Sequence, residues 1–410
     1  MDRICWLVSR CFGLLSIIFL TATAASIPIV QFISLGYLLE VSGRVARGGN
    51  YSSAFIGVQK ASHVGGVLLG TWLLLLPLRF VTLLWNEAIL IDPLSLQTQW
   101  TRGLQIGLIV LTTAQVSAAW ICGGKFRYFF WQLVAPFSFA VWALRKLAHA
   151  QPIRPLLSAS ANWISPHLAN DIGNVSPASD WFVPAILLAK IRKGTIYTDA
   201  RDGLWNFVAS LNLKYYLQLG FKGFAGTFIW LLVPTLLLVR ATANDDATAV
   251  VSAILGVGLA VPVFALLPFL QAHYAKDGQW KSLFQPIQVA KIFWRAPLAH
   301  TIALLVTLVL ALPLFLLKIE EIPAELLWTL SLVFVTFSWP ARTAIGLAYR
   351  RGNREGKESR WWISIPIMLM AIPISFAFIF IMFFTRYITW NGAWSLLENH
   401  VFLLPAPFWL

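Results

Sequence analysis

The residues of this 410-residue chain best suited to chemistry are Lys146, Arg154-Pro155 and the pair His167-x-x-x-Asp171. Cations that hold a phosphate ahead of an imidazole and a carboxylate are what phosphoryl transfer requires. Asp199 and Asp202 flank Arg201 and form the other acidic pair. A hard metal needs more oxygen ligands than two, so these read as the self-neutralising polar face of an amphipathic helix. His63, His149, His273 and His300 stand alone, without His-x-x-x-His or Cys-x-x-Cys spacing. Cys5, Cys11 and Cys122 are too few and too scattered for a disulfide framework or a metal site. Gly65-Gly66 and Gly123-Gly124 fit no phosphate loop or dinucleotide fingerprint and suit close helix packing. No catalytic, cofactor-binding or metal-ligating residue is expected, and no enzyme.

The Lys146 to Asp171 pattern resembles the phosphate-binding and nucleophile elements of membrane phosphatidate phosphatases. It departs from them in three ways: the spacing from Lys146 to Arg154 is one residue too long, the Pro-Ser-Gly-His element is absent, and no Arg stands six residues before His167. Without those donors a phosphoryl oxyanion lacks its support. A membrane phosphatase is the remotest of the functional readings.

The elements that must position any site are apolar helices. At 58% hydrophobic and 12% charged residues, with mean hydropathy +0.72, the chain is far from the roughly 25% charged share of a soluble domain. Eight stretches reach the ~20 residues that cross a bilayer: Phe12 to Leu39, Val64 to Trp85, Gly103 to Ile121, Leu219 to Val239, Thr248 to Ala272, Leu298 to Leu317, Leu326 to Tyr349, and Trp362 to Thr385. The basic residues are sorted between them. One set of loops carries Arg44, Arg47 and Lys60, then ten Lys and Arg from Lys125 to Lys214, then Lys276, Lys281, Lys291 and Arg295, then Arg350, Arg351, Arg354, Lys357 and Arg360. The alternate loops carry Glu87, Asp92, Asp245, Asp246, Glu320, Glu321 and Glu325, with Arg102, Arg240 and Lys318 among them. This positive-inside asymmetry makes the basic face cytoplasmic and places both termini outside. The net charge of +14 flanks the spans and forms no basic domain, so anionic phospholipid is the expected counter-charge and nucleic acid is not.

Two stretches resist a simple assignment. Phe12 to Leu39 is one span in this scheme, although Arg3 and Arg10 then fall on the wrong side; the alternatives are a bend at Pro28 with re-entry, or a cleaved signal peptide near Thr21 to Ala25. Phe126 to Leu144 is apolar enough for a ninth span, but crossing would export Arg145, Lys146 and Arg154, so it reads as interfacial. The Pro-, Ser- and Asn-rich stretch Gln151 to Ser179 reads as a loop.

An internal repeat organises the chain. Gly49 to Gln59 aligns with Gly278 to Gln288 without gaps, matching Tyr51 with Trp280, Ser53 with Ser282, Phe55 with Phe284 and Gln59 with Gln288. A looser copy runs from Lys193 to Gly203 with Tyr197 at the aromatic position, and a shorter unit carries Pro340, Tyr349 and Pro373. The expected fold is an all-α integral membrane protein of about eight spans in parallel repeated hairpin units, each with a cytoplasmic interfacial amphipathic segment. Its divisions are 1–101, 102–179, 180–247, 248–325 and 326–410. Arg44, Arg47, Lys190, Arg192, Lys193, Lys276, Lys281, Arg350, Arg351 and Arg354 are the candidate contacts to lipid headgroups, and Tyr51, Tyr197 and Trp280 the interfacial aromatics.

Arg79, Lys222 and Arg342 are the intramembrane charges, read first as anchors snorkelling to a surface. No acid is placed mid-span, which disfavours ion-coupled transport. Leu35-Gly36-Tyr37, then Arg44, Arg47, Gly48 and Gly49 before an amphipathic stretch, resembles the opening unit of an uncharacterised family of bacterial multi-span membrane proteins. That resemblance covers mainly residues 26 to 85 and implies a bacterial inner-membrane location without transferring functional residues. Two functional classes follow. One is a membrane-organising or accessory subunit that binds anionic lipids and docks a protein partner; the other is a permease or lipid-handling transporter with Pro-bent helices around a cavity.

Overall fold

The computed structural model describes residues 2–48, 51–133, 182–243, 247–316, 327–354, 360–385, 387, 392 and 395–398. The elements read above at Lys146, Arg154, His167 and Asp171, the Gln151 to Ser179 loop and the far part of Phe126 to Leu144 lie outside them. Among the described residues the chain is helical: α1 Asp2–Ala25, α2 Gln31–Ala46, α3 Val58–Ile91, α4 Leu96–Ile121, α5 Phe126–Phe129, α6 Val183–Lys193, α7 Ile196–Ser210, α8 Leu213–Ala243, α9 Ala247–Asp277, α10 Pro286–Arg295, α11 Pro297–Leu316, α12 Leu327–Arg354, α13 Trp361–Leu369, α14 Ala371–Thr385 and α15 Ser395–Glu398. Eight of the described stretches are long and apolar enough to cross a membrane, which makes this a multi-pass α-helical membrane protein.

One expectation needs correction. Phe12 to Leu39 is not a continuous span, because α1 stops at Ala25 and α2 starts at Gln31. Pro28 has no N–H to donate and disfavours helical backbone at the residue before it, and Ile29 takes a left-handed φ of 69°. The first stretch able to cross is Leu7–Ala25, leaving α2 as a separate helix of 16 residues. Prolines elsewhere are absorbed inside helices, at Pro77, Pro234, Pro262, Pro268, Pro313, Pro340 and Pro366.

The chain forms two compact units, Met1–Gly13 with Gln59–Leu211, and Leu14–Val58 with Asn212–Leu410. In the first, Gln105 of α4 donates to Thr82 of α3 at 3.1 Å. Buried Gln115 gathers the chain after α4: its Nε2 donates to the Phe129 carbonyl at 3.0 Å, and its Oε1 accepts from Trp131 Nε1 at 3.0 Å. Phe129 is thereby fully buried, in the space left by Gly70. The described start of the Phe126 to Leu144 stretch thus folds back onto α3 and α4.

In the second unit α2 is the central helix, and glycine lets its neighbours approach. Gly36 meets Gly220 of α8, Gly43 meets Ala275 of α9, and Gly346 of α12 meets Ser42. One core joins Phe269 and Ala272 of α9, Ile292 and Phe293 of α10, Leu304 of α11 and Tyr349 of α12. A second joins Leu35 and Leu39 with Leu219, Tyr274 and Leu283. The aligned segments both contain 3-10 turns, Tyr51–Ala54 and Trp280–Phe284; Gly278 has a φ of 71°, and Gly48, one residue ahead of the first aligned segment, a φ of 110°. In α10, Val289, Ile292 and Phe293 are buried on one side while Ile287 and Lys291 are exposed.

Candidate functional site: a groove ending on three arginines

Within the second unit, one face of α12 repeats at helical spacing through Thr336, Pro340, Thr343, Leu347 and Arg351. That stripe is the floor of an open groove of about 780 Å³, walled by Leu14 and Ile18 of α1, Ile302 and Val306 of α11, Tyr51 of the first 3-10 turn and Phe55 just after it. The volume lies within the ~300–1,000 Å³ range of small-molecule sites. The groove floor is apolar because its threonine hydroxyls are spent on their own helix: Thr336 donates to the Leu332 carbonyl at 2.8 Å and Thr343 to the Trp339 carbonyl at 2.9 Å.

Leu347 and Arg351 also line a second pocket of about 370 Å³, completed by Arg350 and Arg354. The apolar groove and the arginine pocket therefore share a wall. Arg351 and Arg354 fall in the last turn of α12, where the helix dipole favours cations, with Arg350 one residue before it. Arg354 extends its guanidinium toward Gly48, whose φ of 110° keeps that turn free of a side chain. Guanidinium groups bind phosphate in bidentate geometry, so the composite site suits an amphiphile with an anionic head and a hydrocarbon tail.

The other candidate headgroup contacts separate into distinct environments. Arg44 and Arg47 both pair with Glu40, a carboxylate 3% exposed, which also accepts from Tyr215 at 2.7 Å. Arg47 further donates to the carbonyls of Ala275 and Lys276, so this pair ties α2 to α8 and α9. Lys276 lies 3.8 Å from Asp277 and over the Tyr349 ring, and Lys281 is exposed in the second 3-10 turn. In the other unit Lys190 donates to the Ile121 carbonyl at 3.0 Å, capping the end of α4, with Asp199 3.9 Å away. Arg192 and Lys193 are exposed at the end of α6. Asp202 is held by Arg201 at 2.9 Å and Asp199 by Thr195 at 3.1 Å. Tyr197 is exposed beneath the Arg201 guanidinium, whereas Trp280 donates its Nε1 to the Lys222 carbonyl at 3.2 Å.

The three intramembrane charges also differ. Arg79 and Lys222 are exposed on their helices. Arg342 is 2% exposed and donates to Gln271, which in turn donates to Thr227 at 2.7 Å, so it does not snorkel to a helix end. Glu40 and the groove walls were not marked by the sequence. Glu40 stands one residue beyond the apolar run ending at Leu39, and only the Arg44 and Arg47 spacing of four and seven residues hints at its role. Comparison with known protein families, with curated proteins and with solved structures returned no match.

Proposed function

We propose that this protein binds an anionic lipid in the α12 groove, with the phosphate on Arg350, Arg351 and Arg354 and the hydrocarbon along the stripe from Leu347 to Thr336. The observation that carries this is the wall shared by an apolar groove and a three-arginine pocket. Neither half alone selects a lipid, but together they match both parts of one. The role is that of a membrane-organising or accessory subunit in a bacterial inner membrane, with basic loops cytoplasmic, no reaction, and a protein partner docked at the basic face. The 3-10 turns in both aligned segments support reading the units as repeats, and the one-sided burial of α10 supports an interfacial amphipathic segment. A lipid-handling transporter is the second reading, favoured by the groove being open.

The test is lipid retention. Protein purified with native lipid should carry anionic phospholipid that is lost in the Arg350→Gln/Arg351→Gln/Arg354→Gln variant and kept in Arg192→Gln/Lys193→Gln. Equal retention by both variants would remove the assignment. A co-purifying stoichiometric protein favours the accessory role, and lipid movement between reconstituted leaflets favours the transporter.

A further inference from the structure

We infer that α7, in the first unit, lies flat in the membrane surface, with Tyr197, Leu204, Trp205 and Val208 sunk among the lipid chains just beneath the headgroups. Two pins fix its place. At its start, Lys190 donates at 3.0 Å to the carbonyl of Ile121, the last residue of the α4 span, and lies 3.9 Å from Asp199 in the first turn of α7. At its end, Lys60 donates to the Ser210 carbonyl, and the His63 ring meets Phe207 edge-on at 5.4 Å. Lys60 and His63 come just before the apolar run of α3 that begins at Val64. The two spans are antiparallel, with Gln105 bonded to Thr82 and Trp120 to Thr71, so the start of α3 and the end of α4 share one face of the membrane. Both ends of α7 therefore touch the boundary of the apolar layer. They are about 22 Å apart for a helix of 15 residues, so α7 cannot stand upright.

Helical spacing divides α7 into three sides. Ile196, Ala200, Phe207 and Ser210 are half-buried against the rest of the unit. Asp199, Asp202 and Asn206 form one outward side, and Tyr197, Leu204, Trp205 and Val208 form the other. That apolar side is bare, with Tyr197, Leu204 and Trp205 at 74%, 64% and 73% exposure. Arg201 interrupts it, but its guanidinium lies over the Tyr197 ring and pairs with Asp202 at 2.9 Å, toward the polar side. For a helix lying in the surface, the apolar side turns to lipid and the acidic side to water. Level, composition and charge all select lipid as the cover. Trp and Tyr favour the headgroup layer, and Arg192 and Lys193, exposed at the end of α6, fall among the lipid phosphates. Contact of this kind exchanges with bulk lipid, so it adds nothing to the lipid retained through purification.

Quenching of a fluorescent label tests this on the full chain in nanodiscs of phosphatidylglycerol and phosphatidylcholine. In a Cys5→Ser/Cys11→Ser/Cys122→Ser background, an environment-sensitive nitrobenzoxadiazole label is placed by Leu204→Cys or by Asn206→Cys, both exposed positions. The quencher is either iodide in the buffer or nitroxide on the lipid chains. The Leu204 position should be quenched severalfold more by the nitroxide lipid than by iodide, and the Asn206 position should show the reverse. Val208→Cys takes the place of Leu204→Cys if the labelled protein does not fold. Equal and strong iodide quenching at both positions would put the apolar side in water. A Leu204 label shielded from both quenchers would mean that a second copy or a protein partner covers that side. Either result overturns the inference.

Discussion

Gly36 and Gly220 meet face to face: a Cβ on Gly36 would fall 1.9 Å from the Tyr216 carbonyl oxygen, and one on Gly220 would fall 1.9 Å from that of Phe32. Both obstacles are backbone, so neither can rotate aside. Gly36→Ala should therefore push α2 and α8 apart and cost about 1–3 kcal/mol or more, read as a lower midpoint of thermal unfolding in detergent. Gly103→Ala is the control, since a Cβ there meets nothing within 4 Å, and it should be neutral or slightly stabilising. Equal midpoints for the two variants would mean that the helices do not cross at these glycines.

Glu40 is the hub of the same helix. It is nearly inaccessible while receiving Arg44, Arg47 and Tyr215. Removing the carboxylate weakens three contacts at once, but the Arg44 and Arg47 side chains are 46% and 38% exposed and can turn to water, so Glu40→Gln should destabilise by about 2–4 kcal/mol, less than the loss of a fully buried pair. Tyr215→Phe deletes one hydrogen bond to a charge and should cost about 1.5–3 kcal/mol. Urea unfolding followed by circular dichroism separates the two, and a larger loss for Tyr215→Phe than for Glu40→Gln would contradict this hierarchy.

Much of this architecture is legible in composition. Apolar length marks the spans, and the sorted arginines mark Arg350, Arg351 and Arg354 as a cluster before any coordinates are considered. The stripe from Thr336 to Arg351 is also readable at helical spacing. What cannot be read is which helices stand beside it, because Leu14, Ile18, Ile302 and Val306 look like any residues facing lipid. Pro28 shows the converse difficulty. Seven other prolines sit inside helices, so proline alone does not announce that this one ends a helix. Arg342 likewise reads as a snorkelling cation until Gln271 and Thr227 are brought to it across two other helices.

The aligned phenylalanines of the two repeated segments, Phe55 just after the first 3-10 turn and Phe284 at the end of the second, each rest on a tryptophan of another helix. Phe55 lies 5.4 Å from Trp339 and Phe284 lies 6.3 Å from Trp230. An aromatic pair contributes about 0.5–1.5 kcal/mol beyond its buried area. Double-mutant cycles on Phe55→Leu with Trp339→Leu, and on Phe284→Leu with Trp230→Leu, should give coupling energies in that range. Coupling in one cycle and none in the other would argue that the gapless alignment is coincidence in sequence and not a shared structural unit.

Arg79 and Arg342 are both cations within long apolar helices, yet they should respond oppositely. Arg79 is exposed, and Arg79→Lys should stay within about 0.5 kcal/mol of the parent protein. Arg342 fills core volume and donates to Gln271, so Arg342→Ala should lose about 2–4 kcal/mol from the cavity and the broken hydrogen bond. Parallel thermal melts decide it, and a silent Arg342→Ala would show that the buried contact is dispensable.

Cys122 gives a pH signature in the first unit. It follows the end of α4, half-buried, with its thiol directed at the Val183 carbonyl. Burial pushes its pKa above the usual thiol range, and the nearby Lys190 offsets only part of that rise. The thiol therefore keeps its proton in the folded chain at a pH where an exposed cysteine has begun to ionise. With Cys5→Ser and Cys11→Ser in place, maleimide labelling of Cys122 should be slow near about pH 8 and accelerate only above the ordinary value of about 8.5. Lys190→Gln removes the opposing charge and should shift that onset further up. Linkage fixes the accompanying sign: a thiol whose folded pKa is raised contributes stability below its unfolded pKa and loses it as pH rises through the folded value. Rapid labelling at the lower pH, at the rate of a denatured control, would mean that Cys122 is solvated and that α4 and α6 do not enclose it.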